Sequence, residues 1–356
     1  MMNDLKRISC ILYRSGTSKG AYFLDNDLPK DKEERHALIL KIMGSPDIRQ
    51  IDGIGGATSV TTKVAIISVS KREGIDLDYK FIQPSIEEAV ADDKPTCGNI
   101  LTAVGAFGIE RGLVGVEDSQ TTVNVYDVNT GATITQVIQT PNRTVQYHGD
   151  FEIPGVPGKA SPIEMFFKNI TGGKTGHYLP TGNKYDIFDG VKATCLDISM
   201  PVIFVKAEDM GLTGYESPNE LDSKVELFER IESIREEASK KMGLGSAKGN
   251  VIPKFAIISK PKNEADINIR YFTPATAHPA LAVSAGFCVA TGSFIKGTIL
   301  YELNPKELKV GEHLIKIETP SGTIDVGVNF PTTNIKDVEG KTTRTARLLM
   351  AGEVFV

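Results

Sequence analysis

The stretch Lys63-Val64-Ala65-Ile66-Ile67-Ser68 returns in closely similar form as Lys254-Phe255-Ala256-Ile257-Ile258-Ser259. A second stretch follows each copy, residues 76–84 (DLDYKFIQP) in the first and residues 266–274 (DINIRYFTP) in the second. The distance from lysine to proline is 21 residues in the first copy and 20 in the second. Self-similarity of this kind indicates gene duplication, so we expect two halves with one architecture.

The stretches that follow the two prolines predict the centre of each half. Residues 97–107 (CGNILTAVGAF) correspond to residues 278–287 (HPALAVSAGF), and aligning their first residues places Gly105 on Gly286. Both are apolar on nearly every face and rich in Ala and Gly, which is typical of a helix buried on all sides. The β-branched and aromatic stretches around them predict strands. We therefore expect an α+β fold with two pseudo-symmetric domains, each a mostly antiparallel, barrel-like sheet around a central helix.

The length of 356 residues is large for a single core and suits two domains. The stretch 155–183 is rich in Gly and Pro, which predicts the crossing between the halves. We place the boundary near residue 184, with a first domain at 1–184 and a second at 185–343. Two amphipathic stretches, Pro29 to Met43 and Pro218 to Met242, predict surface helices outside the duplicated plan.

Composition and charge narrow the class of protein. Hydrophobic residues make up 40% and charged residues 24% of a chain with a formal net charge of -5, so no basic surface for nucleic acid is expected. No stretch approaches the roughly 20 apolar residues of a membrane span, and residues 1–7 lack the apolar run of a secretory signal. We expect a cytoplasmic protein that binds neither nucleic acid nor membranes. Its oligomeric state is not readable from the sequence, and a homo-oligomer is one option.

Cys97 stands apart from the other cysteines. The four cysteines are scattered without a C-x-x-C pair, which argues against a zinc site and a disulfide framework. Cys97 begins the first predicted central helix, with Gly98 and Asn99 directly after it. Free N–H groups and the helix dipole at such a position favour a thiolate and also suit a substrate carboxylate. The alternative is a small buried hydrophobic residue, the common role of an isolated cysteine.

Lys63 lies between a Gly-rich loop, residues 52–58, and the apolar strand that opens the repeat. It is either a solvated strand end or a lysine that faces a cleft and exchanges protons near neutral pH. Lys254 occupies the same place in the second copy, so duplication alone would account for a lysine there. His278 corresponds to Cys97, and we expect it either to donate a hydrogen bond to substrate or to cap the second central helix.

Residues 14–20 (RSGTSKG) combine hydroxyl groups and glycines with one Arg and one Lys. The stretch lacks the GxxxxGK[ST] spacing of a phosphate loop, and Gly53-Ile54-Gly55-Gly56 lacks the dinucleotide pattern, so neither predicts a nucleotide cofactor. Two interpretations fit residues 14–20 equally well. Thr17, Ser18 and backbone N–H groups would bind a carboxylate, or the composition reflects turn chemistry alone.

Four stretches together resemble the PrpF family: residues 14–20, the loop ending Thr61-Thr62-Lys63, Cys97-Gly98-Asn99, and the closing residues 344–352 (RTARLLMAG). The resemblance spans essentially the whole chain. That family includes 2-methylaconitate cis-trans isomerase, methylitaconate delta-isomerase and 4-oxalomesaconate tautomerase, on the fold of diaminopimelate epimerase. The resemblance therefore implies an isomerase that needs no cofactor or metal and acts on a small unsaturated di- or tricarboxylic acid.

The resemblance also implies roles for individual residues. In the family, the lysine matching Lys63 and the cysteine matching Cys97 are the proposed proton-transfer groups, and the serine matching Ser18 lies in the site. The family's site is a cleft where the starts of both central helices meet, and the last strand, residues 344–356, would return to the first domain. Diaminopimelate epimerases use two opposed cysteines, whereas the second helix here has His278 at its expected start. That departure disfavours amino-acid epimerisation.

The resulting hypothesis is an allylic 1,3-proton shift. One of Lys63 and Cys97 removes a proton and the other returns one, and the order in which they act stays open. The residues expected to bind substrate are Thr17, Ser18, Gly98, Asn99 and His278. Two alternatives remain: tautomerisation of an oxo-acid such as 4-oxalomesaconate, and a non-catalytic accessory or metabolite-binding protein that keeps the fold. The sequence does not identify the substrate.

Overall fold

The structure, a computed structural model, describes residues 5–153, 155–273 and 276–356. The chain forms two compact units, Met1–Phe167 with Thr342–Val356, and Lys168–Lys341. The division falls between residues 167 and 168, earlier in the chain than the boundary near 184 expected from the sequence. Asp197 explains the difference, because its carboxylate accepts hydrogen bonds from the backbone N–H groups of Lys174 and Thr175 at 2.9 and 2.8 Å. The crossing is thereby tied to the second unit.

The first unit is built mainly of strands. Its strands are β1 (Arg7–Ser15), β2 (Ser18–Leu24), β3 (Val64–Val69), β4 (Leu77–Pro84), β5 (Ala91–Asp92), β6 (Ser119–Asp127), β7 (Thr133–Thr140) and β8 (Pro162–Lys168). Its α-helices are α1 (Lys32–Met43), α2 (Gly98–Leu101) and α3 (Val104–Glu110). The surface helix expected from Pro29 begins slightly later, because Asp31 is its N-cap and accepts a hydrogen bond from Glu34 N at 3.0 Å.

The second unit has the same mixture of elements. Its strands are β9 (Asp186–Phe188), β10 (Val191–Ile198), β11 (Met200–Lys206), β12 (Lys254–Ser259), β13 (Ile267–Thr273), β14 (Thr276–Ala277), β15 (Gly311–Thr319) and β16 (Gly322–Phe330). Its α-helices are α4 (Pro218–Asp222), α5 (Val225–Lys241), α6 (Val283–Gly292) and α7 (Ile299–Leu303). The single helix predicted for this region is two helices, because Lys224 has non-helical dihedrals, φ -95° and ψ 86°. The last strand, β17 (Glu339–Phe355), begins in the second unit and ends in the first.

The two units share one pattern of strand pairing. In the first, β1 pairs antiparallel with β2, β2 parallel with β3, β3 antiparallel with β4, β4 parallel with β6, and β6 antiparallel with β7. In the second, β10, β11, β12, β13, β15 and β16 are joined in the same order and with the same directions. The predicted α+β class, with two pseudo-symmetric and mostly antiparallel units, is confirmed.

Each unit packs its strands around a buried helix, α3 in the first and α6 in the second. Glycines on these helices allow the strands to approach closely. A Cβ atom on Gly105 would lie 2.5 Å from Cδ1 of Ile138, and one on Gly286 would lie 3.0 Å from Cγ2 of Val326. The two glycines that align in the repeat therefore face corresponding hairpins, β6–β7 and β15–β16.

The sequence predicts a single continuous central helix for the first unit. In the structure this helix breaks between α2 and α3. Ser15 Oγ accepts a hydrogen bond from Ala103 N at 3.0 Å and donates one to Asn99 O at 2.5 Å. In an α-helix these two backbone groups would bond to each other. The inserted hydroxyl therefore replaces one backbone hydrogen bond of the helix. Insertion of a side chain into these bonds is a known cause of helix kinks.

Gln136 replaces a second backbone hydrogen bond at the same break. Its Nε2 donates to Leu101 O at 2.8 Å, and its Oε1 accepts from Gly105 N at 2.7 Å. Gln136 is fully buried on β7, so both backbone groups depend on it and not on water. Two side chains from the surrounding sheet thus separate the short helix α2 from α3.

Gln136→Leu is expected to destabilise the protein by about 2–6 kcal/mol. The apolar side chain leaves Leu101 O and Gly105 N buried without a partner, at about 1–3 kcal/mol each. Urea unfolding followed by circular dichroism measures the change, and Gln139→Leu, on the same strand but half-buried, is the matched control. A loss below about 0.5 kcal/mol would mean that the helix closes its own hydrogen bonds, which contradicts the role given to Gln136.

Candidate functional site

Strand register brings several predicted site residues to one end of the first unit. A tight turn joins β1 to β2, with Ser15 opposite Ser18. β2 runs parallel to β3, and Ala21 N donates a hydrogen bond to Lys63 O at 3.0 Å. The start of α2 reaches the same end, because Ser15 Oγ bonds to Asn99 O. Ser18, Lys63 and the start of α2 therefore lie at one end of this unit.

The side chain of Lys63 points to the face that carries the buried helix. Side chains alternate between the two faces along a strand. Ala65 and Ile67 of β3 pack in the core around α3, so Lys63, two residues before Ala65, shares their face. Gln83 shares this face in the same way, because it follows Phe81 of the same core by two residues on β4.

Lys63 is held by a neutral amide. Its Nζ donates to Gln83 Oε1 at 2.7 Å, and the Gln83 amide is fixed because its Nε2 donates to Thr62 O at 2.7 Å. The same Nζ lies 5.2 Å from the centre of the Phe81 ring. No carboxylate of the described residues forms a salt bridge with Lys63. The ammonium group is thus positioned without being neutralised by an ion pair.

Cys97 is the N-cap of α2, with φ -140° and ψ 103°, and its side chain makes no capping hydrogen bond. Its backbone is held from two sides. Tyr79 OH donates to Cys97 O at 3.2 Å, and the preceding Thr96 donates through Oγ1 to Asp127 Oδ2 at 2.6 Å. Since α2 has only four residues, the helix dipole expected from the sequence is small here. The unpaired N–H groups of its first turn remain.

Cys97 also differs from the other cysteines in exposure. It is partly exposed, whereas Cys10, Cys195 and Cys288 are buried. Burial raises the pKa of the Cys10 thiol to about 12 and holds the pKa values of Cys195 and Cys288 well above the ordinary range. A neutral buried thiol is a poor proton acceptor and nucleophile. Cys97 is therefore the cysteine available for chemistry.

Thr17 and Asn99 bind each other. Thr17 N donates to Asn99 Oδ1 at 3.3 Å, and Asn99 Nδ2 donates to Thr17 Oγ1 at 3.0 Å. Gly16 permits this contact, because its φ is 54° and an added Cβ atom would collide with Asn99 Oδ1. By contrast, a Cβ atom on Gly98 would meet open space, and Ser18 is buried. The β1–β2 turn is thereby locked onto α2 beside an open position.

His278 does not begin the second central helix, so that prediction is wrong. α6 begins at Val283, five residues later. His278 Nδ1 instead accepts a hydrogen bond from Ala280 N at 2.9 Å, and the ring packs edge-on against Tyr271, with ring centres 5.8 Å apart. Burial lowers the pKa of His278, and the nearby Lys254 ammonium adds to this effect. The neutral ring then carries its proton on Nε2. A contact between His278 and the substrate stays a prediction.

The first unit brings together six of the seven predicted residues, whereas His278 lies in the second unit. Those six are Thr17, Ser18, Lys63, Cys97, Gly98 and Asn99. Sequence reasoning missed Gln83 and Tyr79, which hold the lysine and the cysteine backbone. The available signal was slight: Gln83 is the residue before the proline that ends the second repeated stretch, where the other copy has Thr273.

Within the described ranges, no group of three or more His, Cys, Asp or Glu side chains is arranged to hold a metal ion. None of the described helices is long and apolar enough to cross a membrane.

Comparison with known proteins tests the family prediction. The sequence model of the PrpF protein family matches residues 5–356. The putative isomerase YbhH of Escherichia coli (strain K12) is 43% identical over 352 residues, 99% of this chain and 100% of that protein. The 4-oxalomesaconate tautomerase of Pseudomonas putida is 42% identical over 350 residues, 98% of this chain and 96% of that protein.

A solved structure agrees with these relatives. The crystal structure of methylitaconate-delta-isomerase superposes with a TM-score of 0.90 at 34% identity, covering 99% of this chain and 96% of that one. The family predicted from four short stretches is confirmed. This chain belongs to the PrpF family, and it is an isomerase.

Proposed function

We propose that this isomerase moves a proton within a small unsaturated di- or tricarboxylic acid, with Lys63 and Cys97 as its acid/base pair. The observation that carries the proposal is their shared position. Lys63 and the start of α2 lie at one end of the first unit, and Lys63 points toward the helix-bearing face. Lys63 bonds a neutral amide, and the Cys97 thiol makes no capping bond. Both groups are therefore available to exchange protons.

The chemistry needs only these two groups and the carboxylates of the substrate. Whichever group starts without its proton removes a proton from a carbon next to the conjugated C=C–carboxylate system, which gives a dienolate. The other group delivers its proton to the far carbon of that system, and the double bond moves. No electrons are lost or gained, and exchange with solvent returns both groups to their starting states. Donors aimed at the carboxylate stabilise the charge that develops.

We assign different parts to the other predicted residues. Thr17 and Asn99 use their polar groups on each other, so we propose that they position α2 and do not hold substrate. Gly98 borders open space beside Cys97, which supports a substrate group lying there. We propose that the first-turn N–H groups of α2 donate to a substrate carboxylate there, together with the hydroxyl of Ser18, which lies at the same end of the unit.

A second substrate class is supported by the relatives. The tautomerase from Pseudomonas putida is 42% identical to this chain, against 34% for methylitaconate-delta-isomerase. Tautomerisation of 4-oxalomesaconate also removes a proton at one end of a conjugated oxo-acid and adds one at the other. The same acid/base pair therefore serves both reactions, and the substrate decides between them.

Incubation in deuterated water, followed by proton NMR, tests the proposal. The substrates are 4-oxalomesaconate, 2-methylaconitate and methylitaconate, each compared with a sample without enzyme. We expect one of them to be isomerised, with deuterium entering the product at the carbon that gains a proton. Isomerisation that fully retains the substrate's own proton would indicate transfer by a single group and contradict the pair. Absence of both isomerisation and exchange for all three acids would contradict the substrate class.

A further inference from the structure

Arg344 lies at the same end of the first unit as Lys63, on β17. β17 runs antiparallel to β1, with Ala346 opposite Ser15. Residues directly opposite in an antiparallel pair share a face, and the Ser15 side chain contacts α2. Arg344, two residues before Ala346, shares that face. Arg344 lies two residues beyond the Ser15–Ala346 pair, level with the β1–β2 turn.

Neighbouring residues on β17 support this assignment of faces. Ala346 and Leu348 pack in the core around α3. Thr345 belongs to the other face, where its Oγ1 accepts a hydrogen bond from Arg14 Nη1 at 2.7 Å. The alternation places the Arg344 side chain inward, toward the start of α2.

The Arg344 guanidinium has no anionic partner in the described part of the chain. The guanidinium does donate a hydrogen bond from Nη1 to Thr343 O, at 3.0 Å. Burial lowers the pKa of Arg344, and no nearby carboxylate opposes the shift. Arg235, a buried arginine of the second unit, instead pairs with Glu232 and donates to Pro253 O at 2.9 Å. A half-buried cation without such partners favours binding of an anion.

We propose that Arg344 binds a carboxylate of the substrate, a role that rests on the function proposed above. The planar guanidinium donates two parallel hydrogen bonds to a carboxylate, which fixes both its place and its orientation. A carboxylate held in this way orients the carbon acid at the end of the unit that carries Lys63 and Cys97. The same contact stabilises the dienolate, because its negative charge spreads onto that carboxylate.

Binding of tricarballylate, a saturated tricarboxylate with no double bond to move, tests the proposal without turnover. Isothermal titration is expected to show that Arg344→Gln weakens its binding about 10- to 100-fold, the loss typical of a charge-assisted hydrogen-bond pair. Arg344→Lys keeps the charge but loses the bidentate geometry, and it should recover part of the affinity. Arg347→Gln is the matched control, since it removes the same charge from an exposed position on the outer face of β17; it should change affinity less than about 2-fold.

Wild-type affinity in a folded Arg344→Gln protein would overturn the proposal, as would equal losses in the Arg344 and Arg347 variants. Failure of the wild-type protein to bind tricarballylate would also count against a carboxylate site. Where Arg344→Gln does not fold, Arg344→Lys decides, and unchanged affinity in that variant overturns the role. Because tricarballylate is not turned over, these outcomes are separate from the failure of Lys63 and Cys97 as proton-transfer groups, which shows only in isomerisation.

Discussion

Cys97→Ala is expected to lower kcat by about 100- to 10,000-fold, the usual contribution of a general acid or base, and to leave the fold intact. The thiol is partly exposed, makes no capping hydrogen bond and packs only at the edge of the core around α3, so its removal should cost little stability. The backbone that positions α2 is held by Tyr79, which the substitution leaves unchanged. Initial rates of isomerisation and thermal unfolding of the same samples measure the two effects.

Cys10→Ala is the control for this prediction. Cys10 is buried, and burial raises the pKa of its thiol to about 12, so it holds its proton at neutral pH. Its replacement leaves a small cavity and should lower the melting temperature while kcat stays within about 2-fold. We therefore expect opposite results for the two variants: Cys97→Ala loses activity but not stability, and Cys10→Ala loses stability but not activity. Full activity in Cys97→Ala would remove Cys97 from the chemistry.

Lys63→Met is expected to reduce kcat by a similar factor of about 100 to 10,000. Methionine keeps much of the apolar stem that lies by Phe81 but cannot carry a proton. The variant leaves Gln83 Oε1 without its donor, which should cost only about 1 kcal/mol because the site is half-buried. The loss of turnover should therefore far exceed the loss of stability, as measured by initial rates and urea unfolding.

Lys254→Met is the matched control, because Lys254 occupies the corresponding position of the repeat. Burial lowers the pKa of Lys254, with a smaller contribution from Arg235, so a lowered lysine pKa alone does not identify the active group. We expect this variant to keep kcat within about 10-fold of wild type. Loss of activity in Lys254→Met together with full activity in Lys63→Met would reverse the assignment between the two copies.

Much of the fold is predictable from the sequence because both copies of the repeat show the same local patterns of residues. Strands such as β3 and β12 are short, apolar and β-branched, and the buried helices are rich in Ala and Gly. Gly105 and Gly286 align in the sequence and have the same packing role in the structure. The candidate residues Lys63 and Cys97 are likewise visible, since each lies at the edge of such a pattern.

The features that escaped prediction depend on contacts between residues distant in sequence. The break between α2 and α3 is made by Ser15 and Gln136, which come from strands β1 and β7 and leave no trace in the helical stretch itself. The unit boundary reflects contacts such as those of the Asp197 carboxylate, which binds a loop more than 20 residues before it in the sequence. In the sequence, Arg344 is visible only as part of a family motif. The inward direction of its side chain follows from the register of β17 with β1.

The most direct test of the Lys63 and Cys97 pair is to follow substrate hydrogen exchange and product formation together, in deuterated water, for the wild type, Lys63→Met and Cys97→Ala. If one group removes the proton and the other returns it, the variant that keeps the base still exchanges the substrate's proton but forms almost no product. The variant that lacks the base does neither. We therefore predict exchange without product in only one of the two variants, which also identifies the base. Product formation at the wild-type rate in either variant would contradict the pair.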